Sequence, residues 1–84
     1  MELSQLRKEI DSVDEELAKL FAHRMELTAK VAECKKESGA ATLDLAREEA
    51  VLAKAESICG HYGRELYKTI LDISKRQQTA LRSK

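Results

Sequence analysis

The sequence predicts an all-α protein of three helices, the first far longer than the others. Three observations carry this. Apolar residues recur in alternating steps of three and four, at Leu3, Leu6, Ile10, Val13, Leu17 and Leu20 and again at Leu27, Val31 and Cys34. That is the seam of a helix packed lengthwise on other helices. The chain has no proline, and its three glycines, Gly39, Gly60 and Gly63, leave only two places where a helix is told to stop. Nothing in the sequence reads as a strand.

Helix 1 is expected over about residues 3–37. Ser4 is a suitable N-cap. Acidic residues gather early (Glu9, Asp11, Asp14, Glu15, Glu16) and basic ones late (Lys30, Lys35, Lys36), as the helix dipole prefers. Gly39 is the stop signal. Such a helix is about 50 Å long at ~1.5 Å per residue, whereas a compact chain of 84 residues has a diameter near ~30 Å. Either its far end frays in water or it packs on another chain, and a seam apolar from Leu3 to Cys34 favours another chain, most simply a symmetric dimer.

A short loop at 39–42 leads into helix 2, expected over about 44–59 and capped by Thr42 or Asp44. Leu45, Val51, Leu52, Ala55 and Ile58 give it an apolar side. Gly60-His61-Tyr62-Gly63 is read as a tight turn, and helix 3 follows over about 64–82. Leu66, Ile70, Ile73 and Leu81 mark its expected buried side, with Tyr67 and Leu71 beside them. Ser74 and Gln78 continue the Tyr67–Leu71 row. Residues 1–84 are read as a single domain without repeats.

Lys plus Arg number 15 and Asp plus Glu 15, so the formal charge is zero. This argues against a nucleic-acid partner, which needs a basic face. No apolar run reaches membrane-spanning length and no leader-like segment precedes helix 1, so the chain is expected to be cytoplasmic, with no membrane partner. His23, His61, Cys34 and Cys59 lack metal-ligand spacing, and no metal is expected. Cys34, in the seam, is read as a small reduced hydrophobe.

Arg24 occupies the seam slot between Leu20 and Leu27. Two readings are open: a packed stem with a snorkelling or ion-paired head, or a cation that holds a ligand. Lys35, eleven residues on, is close to three whole turns away and points the same way, with ~16 Å between the backbones. Two long side chains leaning together leave room for a small dianion. Arg7 lies ~25 Å from Arg24 on a straight helix and could join it only from a partner chain. On helix 2, Asp44, Arg47 and Glu48 share one turn, either as a capped, ion-paired helix start or as site residues. Ser74 and Gln78 are either a polar edge or part of a site, and Gln77 beside Gln78 leaves open which amide faces inward. No Ser or Cys has a His and an acid at recognisable spacing, and there is no phosphate-binding glycine loop. Chemistry at such a site would rest on charge placement and orientation.

These residues resemble the all-helical (AroQ-class) chorismate mutases. LRKEIDSVDEELAKLFAHRMELTAKVAECK is similar to their long first helix, DLAREEAVL to the start of their second and ISKRQQ to the end of their third. The combination is specific: Arg7 after a seam Leu, Arg24 in the seam, Lys35 three turns on, Asp44-x-x-Arg47-Glu48, and Gln78 one turn past Ser74. The resemblance implies an intertwined homodimer of three-helix protomers and a Claisen rearrangement of chorismate to prephenate, a step of aromatic amino-acid (Phe/Tyr) biosynthesis, with no cofactor or metal. It implies that Arg24 and the partner's Arg7 hold the two substrate carboxylates, and that Lys35 and Gln78 donate to the ether oxygen. Glu48 and the region of Asp44 would hold the ring hydroxyl. Arg47 and Ser74 would complete the polar lining, with Val31 and Leu71 as apolar walls. Against the family, the turn between helices 2 and 3 is short by several residues, and Lys75 stands where some relatives are apolar. The other readings are an isochorismate-pyruvate lyase on the same fold and a non-catalytic helical dimerisation module.

Overall fold

In the computed structural model, which describes residues 2–39 and 44–82, three helices follow one another: α1 (Leu3–Ser38), α2 (Leu45–Cys59) and α3 (His61–Arg82). Among the described residues there is no strand, and no helix is long and apolar enough to cross a membrane. α3 packs on both α1 and α2, while α1 and α2 do not meet directly. α3 is therefore the spine of the chain, and an opening remains between the other two helices.

α1 has 36 residues, and its length sets the long dimension of a molecule measuring 54 × 25 × 14 Å. The radius of gyration is 15.9 Å, against ~12 Å for a compact chain of this size. Glu2, not Ser4, occupies the N-cap, in extended conformation and without a side-chain cap bond. The helix gains its first backbone bond from the Leu6 N–H to the Glu2 carbonyl, which leaves Ser4 inside the first turn. Gly39 closes the other end at φ +72°, its N–H donating to the Lys35 carbonyl. This left-handed position is one that glycine takes without steric cost. The expected loop at 39–42 lies, beyond Gly39, outside the described residues, as does Thr42 as a possible cap.

Asp44 caps α2, its Oδ1 accepting the Arg47 N–H at 3.0 Å. The corner between α2 and α3 corrects the sequence reading. Gly60 alone reverses the chain, at φ +70°, and its carbonyl accepts from the N–H groups of Gly63 and Arg64 at 3.0 and 3.3 Å. His61, Tyr62 and Gly63 are thus the first turn of α3, not a separate turn. Gly63 is buried where the two helices touch: a Cβ there would come within 2.5 Å of Cys59 Cβ and 2.6 Å of the Ala55 carbonyl oxygen. Arg64 straps the same corner, with Nη2 2.8 Å from Glu49 and Nη1 3.3 Å from Glu56. The hydrogen bond to Glu49 and the charges of both carboxylates push its guanidinium above the ordinary range.

Small residues make the core. Among the described residues, the buried positions are Ala32, Ala55, Gly63, Ser74 and Gln78. The larger apolar side chains lie at the margins. Leu66, expected inside, is exposed, as are Leu45 and Ile58 on α2. Ile70, Ile73 and Leu81 are half-buried, as are Tyr67 and Leu71, and Ser74 and Gln78 of the Tyr67–Leu71 row are buried, facing the gap between α1 and α2. Leu66 is left 48% exposed.

Candidate active site

The opening between the three helices is a cleft of about 170 Å³. α1 lines it with Arg24, Thr28, Val31 and Lys35, at the spacing of successive turns on one face. α2 contributes Asp44, Arg47, Glu48 and Val51 from its first two turns. α3 contributes Leu71, Ser74, Lys75 and Gln78. A larger groove of about 440 Å³ adjoins it, sharing Arg24, Arg47 and Val51 and continuing over Ala55 and Ile58 to Tyr67.

Arg24, Lys35, Asp44, Arg47, Glu48, Ser74 and Gln78 thus share one cleft, with Val31 and Leu71 as its expected walls. Arg7 does not join them. It is exposed on the first half of α1, ~25 Å along the axis from Arg24.

The Arg24 head is held without being neutralised. Its Nη1 donates to Ser74 Oγ at 2.8 Å, and the Ser74 hydroxyl in turn donates to the Ile70 carbonyl at 2.9 Å. The guanidinium carbon lies 5.9 Å from the centre of the Tyr67 ring, a weak cation–π distance. Among the described residues neither Arg24 nor Arg47 forms an ion pair with a carboxylate. The ion-paired reading of Arg24 is therefore not what the fold adopts. Ser74 is a positioning partner, fixing the guanidinium while leaving its charge available.

The neighbouring glutamines divide the work. Gln77 ties α3 to α1: its Nε2 donates to the Met25 carbonyl at 2.9 Å, and its Oε1 accepts from Thr28 Oγ1 at 2.7 Å. Gln78 is buried at 8% exposure and lines the cleft. The sequence left this choice open, and packing decides it.

Three lining residues were missed as site residues. Thr28 and Val51 follow Arg24 and Arg47 by four residues, so helical spacing could have found them. Lys75 falls between Leu71 and Gln78 at the same spacing. Its Nζ lies 3.1 Å from Glu48 Oε1 and bridges α3 to α2. The lining holds four cations, Arg24, Lys35, Arg47 and Lys75, against two carboxylates, Asp44 and Glu48, in a chain whose formal charge is zero. Positive charge has been concentrated here at the expense of the rest of the surface, as a site for a small polyanion requires. The lining contains no His, Cys or Tyr, so it offers no ready nucleophile–base pair.

Comparison with known proteins agrees with this geometry. The family described as chorismate mutase type II matches residues 6–79, from the second turn of α1 to the last turn of α3. A chorismate mutase of Methanocaldococcus jannaschii is 28% identical over 82 residues, covering 90% of this chain and 83% of that protein. No solved structure matches. The family match takes in every residue that lines the cleft, with Arg7 at its edge. On that extent the chain belongs to the chorismate mutase type II family and is an enzyme of that kind.

Proposed function

We propose that the cleft binds chorismate and converts it to prephenate, supplying the prephenate from which phenylalanine and tyrosine are made. The reaction is an intramolecular Claisen rearrangement. The ether C–O bond breaks as a new C–C bond forms, six electrons shift around a ring, and no proton or leaving group is exchanged. It needs no nucleophile. It needs the flexible dianion held in its compact reactive conformer, and stabilisation for the negative charge that grows on the ether oxygen.

The observation that carries this reading is the set of guanidinium and ammonium groups around Gln78, with Arg24 braced by a neutral hydroxyl. Arg24 binds one substrate carboxylate. Lys35 and Gln78 donate to the ether oxygen, and Glu48, beside Asp44, accepts from the ring hydroxyl. Arg47 adds charge for the carboxylates, and Val31 and Leu71 exclude water. Orientation of this kind supplies several kcal/mol, and preorganised donors at a developing oxyanion contribute roughly 3 kcal/mol each.

The second carboxylate is held by Arg7 of the partner subunit in an intertwined homodimer. The exposed apolar face of α1 supports this, and so does the groove beside Arg24 and Arg47, which is open to an incoming helix. On this reading the 84 residues act as one domain whose site is finished only by a second copy.

The test is loss of chorismate absorbance with prephenate as product. Arg24→Ala should lower turnover by about 10³-fold while leaving helicity intact, since Ala suits a seam position. An active Arg24→Ala enzyme would overturn the assignment, and pyruvate formed from isochorismate would point to the lyase reaction instead.

A further inference from the structure

We propose that Lys75 is a positioning residue of this site, acting on substrate through Glu48. The inference rests on the chorismate reading and extends it to a residue with no role there. Lys75 reaches from α3 across the mouth of the cleft to Glu48 Oε1, at 3.1 Å. The Glu48 side chain is 20% exposed and that of Lys75 43%. The carboxylate is thus sunk into the lining while the ammonium stays at the rim.

The chemistry of the ligand makes this pair necessary. A carboxylate facing a dianion repels it, and the repulsion grows as both leave water. Glu48 is needed as an acceptor, yet its charge opposes binding. Lys75 offsets that charge without removing the acceptor: one oxygen is engaged by the ammonium, and the other remains able to accept from a hydroxyl. The ammonium also holds the carboxylate at one point on the wall between α2 and α3. The alternative role, clamping those two helices together, is already filled by Arg64 and by the close contact at Gly63. An ion pair with a half-exposed lysine adds little to stability.

The effect should therefore appear in substrate binding and not in folding. Lys75→Met keeps the aliphatic stem and removes the charge. It should raise KM for chorismate about tenfold, with kcat held within about threefold, because the repulsion acts on bound substrate and transition state alike. Lys75→Arg should restore KM to within about threefold of wild type. In a Glu48→Gln background the same Lys75→Met change should raise KM by less than about threefold, since a neutral amide needs no counter-charge.

An equal tenfold loss in both backgrounds would overturn the proposal, because Lys75 would then touch substrate directly. So would unchanged KM in Lys75→Met, or a lowered melting temperature with normal kinetics below it. Lys75→Gln provides the same comparison if the Met variant folds poorly. Wild-type turnover of chorismate in the same assay separates the two levels. If the wild type is inactive, the proposed function fails and this inference with it; if it is active, only the role of Lys75 is at stake.

Discussion

The two halves of α1 carry the same exposed seam, but the second half is also packed on α3 along a neighbouring face. From Met25 onward the helix is bedded on α3. Ala32 is 2% exposed, and Gln77 and Ser74 bond across to the 24–28 segment. From Leu3 to Leu20 none of the described residues is buried. Val13 and Leu20 are each 64% exposed, and Leu17 is 52% exposed. A regular apolar repeat therefore says that a helix will be covered but not by what. In this chain the second half rests on α3 through the neighbouring face of Thr28 and Ala32, while its seam residues Leu27 and Val31, like Val13, Leu17 and Leu20 of the first half, stay exposed. Bare apolar surface of that length marks an interaction face. Because the protomer's own core is built from Ala, Gly, Ser and Gln, it has little else to hold it together.

The comparison can be broken most severely by charging the bare half. Val13→Asp combined with Leu17→Asp should abolish association and activity together. Each buried side chain of this size contributes about 1.5–3 kcal/mol per chain, and an unpaired carboxylate in its place costs more. Sedimentation and chorismate turnover would report the loss. A fully active double variant would mean that the stripe is not an interface.

The bedded half is sharpened by its two glutamines. Gln78→Ala should lower kcat by about 10²-fold or more with the melting temperature nearly unchanged. Gln77→Ala should do the reverse, costing about 1–2 kcal/mol of stability for the lost bonds to Thr28 and Met25 while turnover of the folded enzyme stays near wild type. Paired melts and kinetics decide the matter, and the opposite pattern would exchange the roles assigned to the two amides.

The smallest effect links the two halves. Arg7→Ala and Arg24→Ala chains, each nearly inactive alone, should as a purified heterodimer regain about half the wild-type activity, since one of two symmetry-related sites is then intact. No recovery would show that Arg7 does not act across the interface.

Much of this was legible in the sequence, and the reasons differ by feature. The long helix, the Gly39 stop and the Asp44 cap depend on local backbone chemistry, which neighbours in sequence determine. Arg24 and Lys35 could be placed on one face because helical spacing is rigid. The corner was misread because Gly60 can turn the chain by itself, and a second glycine three residues on resembled the end of a turn. Gly63 is small for a different reason: Ala55 and Cys59 lie against it. Ser4 was misplaced because a cap depends on where the first carbonyl is used, and Glu2 serves without a side-chain bond. The exposure of Leu66 and the partnership of Lys75 with Glu48 depend on how α3 packs between two other helices. That packing is a tertiary outcome with no local signature.

The one-residue corner at Gly60 has a kinetic consequence. Closing a short loop loses little chain entropy, so α2 and α3 can find each other on the time scale of local encounters, well before a second molecule arrives. On the proposed homodimer, the long helix, whose apolar stripe stays exposed within the chain, would be zipped last and at a rate set by concentration. Assembly of such a dimer would then run from a fast private event to a slow shared one, and a cell making few copies would wait longest on the second.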